Sequence, residues 1–389
     1  MRSFSAVLAI LPVAFAAPIL EARSGVELIP NQWIFKLRDD AHDNLLSTTM
    51  NTVVKSLGIE PLHVYNYGSF KGFTITGAES LIRALPFLTS VHAIEQDYKV
   101  NASTLTSQSG APYGLGRISH QQKGSTTYVY DDSAGAGTYS YIIDTGIYTQ
   151  HNDFEGRATF GANFAGDGLN ADGNGHGTHV AGTTGSKTYG LAKKTNLIAV
   201  KVLNSNGQGS NSGVIAGIQY AVKDAKDKGR IGKAVANMSL GGAYSSMVNS
   251  AVAAAVQSGL FMAVAAGNDG VDAKNTSPAS ESSACTIGAT DSNDNRASFS
   301  NYGSYVDVFA PGVGILSTWN RSPSDTNTIS GTSMATPHIT GLGAYLLGLE
   351  GPRSATALCQ RIIDLSTKSV TVNAGSGSPN RLAYNGDGQ

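Results

Sequence analysis

The chain has 389 residues, 41% of them apolar, and a formal net charge of -1. That length exceeds one average domain and is ample to bury a large core, so two domains are expected. The near-neutral balance supplies no basic field for nucleic acid and no polybasic patch for a membrane, while 46 glycines imply many tight turns and close backbone approaches.

The N-terminus carries Met1-Arg2, an apolar run over residues 4–15, and Ala14-Phe15-Ala16 ahead of Ala17-Pro18. This is the layout of a secretory signal over residues 1–16, with a small-residue cleavage site. The run is too short to cross roughly 30 Å of hydrocarbon as a helix, so export rather than anchoring is the reading.

From about residue 32 to 100 the pattern is that of a small α+β domain. An alternating stretch at 33–37, a helical stretch over 44–56, a strand at 70–75, a helix over 79–88 and a strand at 91–95 give a β-α-β-β-α-β order. Residues 101–110 are rich in Ser, Thr and Gly without periodicity, as expected of a linker.

Beyond residue 113, apolar runs at 139–143, 197–203, 234–240, 260–266, 285–289 and 306–309 read as strands, with helical stretches such as 212–228 and 246–258 between them. Continuous apolar strands separated by helices imply an α/β fold with a mostly parallel sheet covered on both faces. Such sheets bind ligands at the carboxyl ends of their strands. Asp144 and Asn268 fall at such ends.

Ser333 precedes an almost wholly apolar stretch, 339–349, which places its hydroxyl at the N-terminus of a buried helix, where backbone N–H groups face a developing anion. Helix capping is the plainer role for such a serine. Pro337 is expected in the first turn, where a missing N–H matters little. His176, between Gly175 and Gly177, is an approachable base. His179, three residues on, makes either a metal pair with it or a structural histidine. Asp144 is placed to orient His176, with Asp172 the alternative carboxylate. Asp-Thr-Gly also marks aspartic proteases, but those need a second such aspartate, and the chain has no other Asp-Thr-Gly or Asp-Ser-Gly.

An acid, an imidazole and a hydroxyl in the order Asp, His, Ser suit nucleophilic attack on a carbonyl, and unrelated folds deliver these groups in different orders. Asn268, in Ala265-Ala266-Gly267-Asn268-Asp269, is a candidate donor to the oxyanion. Gly207-Gln208-Gly209 and Ser239-Leu240-Gly241-Gly242 offer backbone that an extended peptide can pair with. The two cysteines, Cys285 and Cys359, read as a bridge in an oxidising compartment or as two buried thiols. Sequons begin at Asn101, Asn237, Asn275 and Asn320. Asn237 lies in an apolar strand and is expected to be buried and unmodified.

Asp144-Thr145-Gly146, His176-Gly177-Thr178-His179 and the octapeptide from Gly331 to His338 together resemble the subtilisin-like serine proteases, specifically their fungal proteinase K branch of secreted alkaline and cuticle-degrading enzymes. Gly72-Phe73 and Ile94-Glu95-Gln96-Asp97 resemble that family's propeptide. The resemblance implies a ferredoxin-like inhibitory propeptide over 17–104, maturation between 101 and 107, and a catalytic domain over 105–389. It implies Asp144, His176 and Ser333 as the triad, and Asn268 with the Ser333 N–H as the oxyanion hole. Ser239, Leu240, Gly241, Gly242, Ala265, Ala266 and Gly267 would wall the pocket for the residue before the scissile bond.

The resemblance also favours a Cys285–Cys359 bridge, and it implies a structural calcium on the carbonyls of Ser282 and Ala284 and the carboxylate of Asp307, an oxygen set suited to a hard cation. No cofactor is expected for catalysis. Three positions depart from the pattern: Asn211 stands where relatives often have tyrosine, Val370 where a second calcium site expects an aspartate nearby, and Val180 where some relatives carry a cysteine. The expected protein is a secreted, monomeric endopeptidase with broad apolar or aromatic preference, made as a zymogen that its propeptide folds and inhibits. A vacuolar protease and a catalytically silent peptide binder are the alternatives.

Overall fold

The structure, a computed structural model, describes residues 18–20, 28–83, 85, 89–99 and 104–388. The signal segment over 1–16 and Asn101 lie outside them. Two compact units divide the chain, Met1–Ala102 and Ser103–Gln389.

In the first unit, Leu28–Leu37, His63–Tyr67, Phe70–Thr76 and Val91–Tyr98 form an antiparallel sheet, with the short Ile19–Leu20 added parallel at one edge. Period-2 alternation drives Trp33, Phe35 and Leu37 inward, where they meet Phe73, Ile75 and Ile94 and the buried Leu46 and Val53 of helix Asp43–Leu57. Gly72 is needed because a Cβ there would lie 2.2 Å from the Phe35 carbonyl oxygen across the strand pair. Of the second helix, expected over 79–88, Glu79–Arg83 is helical and Leu85 is not, while residues 84 and 86–88 lie outside the described residues. Leu85 precedes Pro86, whose ring disfavours helical backbone in the residue before it.

The second unit is built on seven parallel strands: β1 (Tyr139–Asp144), β2 (Ala158–Asn163), β3 (Asn196–Lys201), β4 (Ala234–Met238), β5 (Phe261–Ala265), β6 (Cys285–Thr290) and β7 (Val308–Pro311). Their spatial order is β2-β3-β1-β4-β5-β6-β7, and two short strands extend the sheet beyond β7. The chain leaves β1 toward one edge of the sheet and leaves β4 toward the other. The carboxyl ends of these adjacent strands therefore flank a crevice, the usual ligand site of open α/β sheets. Strand β2 escaped the sequence reading because Ala-Thr-Phe-Gly-Ala-Asn is neither alternating nor continuously apolar, and it occupies an edge.

Five helices matter for the site: α1 (His176–Gly185), α2 (Asn211–Asp227), α3 (Ser246–Gln257), α4 (Thr332–Glu350) and α5 (Ala355–Leu365). α4 is buried along nearly its whole length, and α1 packs against it so closely that a Cβ at Gly341 would lie 2.7 Å from the Thr184 carbonyl oxygen. Cys285, opening β6, is bridged to Cys359 in α5 across a separation of 74 residues. On the chain-entropy account, a loop of this size stabilises the fold by about 4 kcal/mol. No described helix is long and apolar enough to cross a membrane.

Pro337 departs from the expected position. It lies in the second turn of α4, five residues after Thr332, so the carbonyl of Ser333 loses its i+4 donor. The Ser239 hydroxyl fills that place, donating to the Ser333 carbonyl at 2.7 Å.

Candidate active site

Asp144 ends β1, fully buried, and its Oδ1 accepts from the Thr145 N–H at 2.7 Å and from His176 Nδ1–H at 2.7 Å. Because a carboxylate can only accept, this bond fixes the imidazole tautomer and leaves Nε2 as the base. Asp144 Oδ2 is buried and has no partner among the described residues, so a cation forming beside it is strongly favoured.

His176 is the first residue of α1, and Gly175 ahead of it takes φ 108°, a conformation that glycine alone adopts without strain. The ring keeps 24% of its side chain exposed. Burial disfavours the imidazolium, but the charge and hydrogen bond of Asp144, with a smaller contribution from Asp172, outweigh it and raise the pKa above the ordinary imidazole value. The Asp144 turn and the start of α1 meet with no room to spare: a Cβ at Gly177 would lie 2.1 Å from the Gly146 carbonyl oxygen.

Asp172 does not replace Asp144. Its carboxylate accepts from backbone and hydroxyl donors around the start of α1, and His176 turns to Asp144. Nor does His179 pair with His176 as a metal ligand. It is fully buried, its Nε2–H donates to the Ile315 carbonyl at 3.0 Å, and burial lowers its pKa to about 4.

Ser333 is the second residue of α4, so its N–H is among the first four that no helix carbonyl can satisfy. Its Oγ donates to the Ser239 carbonyl at 3.2 Å in this resting arrangement. Asn268 follows β5 through Ala266 and Gly267, and its Oδ1 accepts from both the N–H and the hydroxyl of Thr332, at 2.8 and 2.9 Å. That pair of bonds fixes the amide's orientation and commits the oxygen, leaving Nδ2 as the donor beside Ser333. Thr332 was not singled out in the sequence, although its place directly before Ser333 was a usable signal.

A pocket of about 210 Å³ opens beside Ser333, walled by Leu240, Gly241, Gly242, Ala265, Gly267 and Thr276. The expected wall residues are thus largely together, with Ser239 on the wall of the adjoining larger cleft and Ala266 fully buried. The pocket is less apolar than expected, because the exposed Asp269 also lines it. A larger cleft of about 660 Å³ runs on from His176 between Gly207-Gln208-Gly209 and Leu240-Gly241-Gly242, with Asn211, the first residue of α2, on its wall. Gly242-Ala243 already pairs on one edge with Thr276–Ser277.

Away from the cleft, Asp307 accepts from the Thr286 N–H at 2.8 Å, close to the Cys285–Cys359 bridge, and Ser282 and Ala284 lie in the turn before β6. Asn237 is fully buried, as expected, and donates from Nδ2 to Ser239 Oγ at 2.9 Å. Asn275 is exposed, whereas Asn320 is half-buried and donates from Nδ2 to the Asp172 carbonyl at 2.9 Å.

A buried acid holding an imidazole, with a hydroxyl on a helix N-terminus and a side-chain amide beside that hydroxyl, is a set of groups able to carry acyl transfer. The family model described as the Subtilase family matches residues 135–381. The chain belongs to the subtilase family. This subtilase is 51% identical over 392 residues to a cuticle-degrading protease of Metarhizium anisopliae, covering 98% of this chain and 99% of the relative. It is 58% identical over 295 residues to proteinase T of Parengyodontium album, covering 76% of this chain and 99% of that one. A cold-adapted subtilisin-like serine proteinase of known structure matches with a TM-score of 0.67 and 42% identity, over 71% of this chain and 99% of the other. The subtilase is accordingly a hydrolase acting on peptide bonds, in the proteinase K branch.

Proposed function

We propose that this subtilase is a secreted serine endopeptidase, made as a self-processing zymogen, with Ser333 as nucleophile, His176 as general base and Asp144 as the group that orients the base. The reading rests above all on the 2.7 Å bond from His176 Nδ1–H to a buried Asp144 that closes a central strand. Ser333 Oγ attacks the peptide carbonyl as Nε2 of His176 takes its proton. The imidazolium then protonates the leaving amine, and water releases the acyl-enzyme by the same route. Asn268 Nδ2 and the Ser333 N–H receive the charge that develops on the carbonyl oxygen.

The substrate is an extended peptide whose backbone pairs with Gly207-Gln208-Gly209 and Ser239-Leu240-Gly241, its side chain before the scissile bond entering the 210 Å³ pocket. The dimensions suit an apolar or aromatic side chain. Maturation before Leu105 leaves strand Leu105–Ser109 intact on its partner Thr127–Asp131, whereas a cut at Ser107 would divide it. The first unit serves as inhibitor and folding aid, in keeping with its α+β fold and the family. Export rests on the N-terminal signal pattern and the fungal relatives.

Calcium fits the residues present: the carboxylate of Asp307 is largely buried and accepts from the Thr286 N–H, which brings it to the chain directly after the turn carrying Ser282 and Ala284. Ser282 and Ala284 carbonyls with Asp307 would hold the ion, which supplies structural cross-linking and takes no part in peptide hydrolysis. Thermal unfolding with added calcium and with a chelator reads this site directly, and Asp307→Asn should abolish the difference.

The test of the main reading is expression of the full chain and of Ser333→Ala, with intact mass, fluorophosphonate labelling and casein digestion measured on each medium. Wild type should lose about its first hundred residues, take one label and digest casein, while Ser333→Ala stays unprocessed and inert. A processed wild type that neither labels nor digests, or an active mutant, would overturn the assignment in favour of a binding role.

A further inference from the structure

Asp172 is 7% exposed and takes five hydrogen bonds on one carboxylate. Oδ1 accepts from the N–H groups of Asn174 and Gly175 at 2.9 and 2.8 Å and from the Thr145 hydroxyl at 2.8 Å. Oδ2 accepts from the N–H and the hydroxyl of Thr178 at 2.9 and 2.6 Å. Four of these donors belong to the approach and first turn of α1, which carries His176. The fifth, Thr145, follows Asp144 in the chain.

The link is closed from both sides. Thr145 Oγ1 also accepts from the Gly177 N–H at 2.9 Å, and Thr178 Oγ1 accepts from the Tyr148 N–H at 2.9 Å. The Asp144 turn and the His176 helix are therefore joined through Asp172 as well as through their own direct bond. A buried anion at a helix N-terminus also answers the orphan N–H groups there.

We propose that Asp172 is a positioning residue of the triad, a second buried anion that locks the Asp144-Thr145 turn onto the start of the His176 helix and holds its charge against the N–H groups of Gly175 and Thr178, on either side of His176. The inference rests on the endopeptidase reading above. Asp172 touches neither the substrate nor the transferred proton, so it acts through the placement and the charge preference of His176. The titratable groups that bear on this ring are Asp144 and Asp172, which favour the imidazolium, and His179 one turn along, which is neutral through most of the working range. Removing the charge of Asp172 withdraws one of the two groups that favour protonation, so His176 should release its proton more readily.

Two variants separate geometry from charge. Asp172→Asn removes the charge and turns an amide donor toward the Thr178 N–H, while Thr145→Val cuts the hydroxyl link and keeps the charge. Each mature enzyme is titrated with a fluorophosphonate and assayed on a soluble peptide anilide. For Asp172→Asn, kcat per titrated site should fall by about 10- to 100-fold, the scale of a misplaced catalytic group, with KM little changed. The acid limb of kcat/KM should move to lower pH. For Thr145→Val, kcat should fall and the acid limb should stay in place.

The same shift is read without turnover by NMR titration of the His176 ring in the full chain carrying Ser333→Ala, with and without Asp172→Asn. An inert wild type would thus sink the endopeptidase reading and leave this one standing or falling on the titration. Coincident His176 titrations in the two chains overturn the proposal, as does wild-type kcat in Asp172→Asn. Should Asp172→Asn fail to fold, an unchanged kcat in Thr145→Val overturns it.

Discussion

Ser239 and Ser333 hold each other through two hydrogen bonds: Ser239 Oγ donates to the Ser333 carbonyl at 2.7 Å, and Ser333 Oγ donates to the Ser239 carbonyl at 3.2 Å. The first bond exists because Pro337 cannot supply the N–H that would otherwise satisfy the Ser333 carbonyl. Behind it stands a relay into the core, since Asn237 Nδ2 donates to Ser239 Oγ and Thr340 Oγ1, on the same helix as Ser333, donates to Asn237 Oδ1, both at 2.9 Å. The Asn237-Met238-Ser239 sequon at the end of β4 thus holds the backbone at Ser333.

Ser239→Ala leaves the Ser333 carbonyl and the Asn237 amide without their partner. An unsatisfied buried polar group costs about 1–3 kcal/mol, so the thermal midpoint should drop accordingly. With the nucleophile's backbone less firmly held, kcat should fall about tenfold. Differential scanning calorimetry and active-site-titrated kinetics check the two effects, and an unchanged kcat would show that the helix alone positions Ser333.

Replacing Asn268 by alanine removes the amide donor and also frees the Thr332 N–H and hydroxyl that hold it. Turnover should fall by about 10²- to 10³-fold with KM nearly constant, a magnitude known for the oxyanion asparagine of subtilisin, itself a member of this family, and not deduced from the present geometry. Single-turnover acylation rates would separate this loss from any change in substrate binding.

Much of this centre was legible in the sequence because its chemistry sits in contiguous words. Asp144-Thr145-Gly146 closes a strand whose apolar run is unmistakable, and Ser333 opens an apolar helix, so both positions could be read from the pattern. What was hidden depends on contacts between segments far apart in the chain. Pro337 reads as a first-turn residue because apolar periodicity, which begins well after the polar Gly-Thr-Ser, marks a later helix start than Thr332. Strand β2 lacked any periodic signal, and nothing in a linear reading says that the carboxylate of Asp172 collects donors from Thr145 and Thr178 at once.

Asp269 gives the pocket a charge that the wall segments do not carry, and its side chain is exposed. A lysine before the scissile bond can reach toward it while burying its methylene stem. An exposed pair of this kind contributes about 0.5–1 kcal/mol and is screened by salt, so Asp269→Asn should lower the lysine-to-phenylalanine ratio of kcat/KM by roughly two- to fivefold. The difference should shrink in 1 M salt. Paired anilide substrates at two ionic strengths measure it, and an unaltered ratio at low salt would exclude Asp269 from recognition.

The pH behaviour divides between two kinds of histidine. His176 has a raised pKa, and only its neutral form can take the Ser333 proton, so kcat/KM should rise with pH through an acid limb lying above the ordinary imidazole value. His179 and His338 are buried on α1 and α4, and burial lowers each pKa to about 4. Between that value and the unfolded pKa of about 6.5 the unfolded chain binds protons that the folded chain refuses, so stability is full above this window and is lost as pH falls through it. Each residue contributes on the order of 3 kcal/mol to the loss. Denaturant midpoints of the inhibited enzyme at pH 7, 5 and 4 should therefore decline steeply. His338→Gln, whose amide can still donate to the Met334 carbonyl that His338 Nδ1–H reaches at 2.9 Å, should flatten that decline even if it lowers the midpoint at pH 7. An equally steep decline in the variant would exclude His338 as a source of the acid sensitivity.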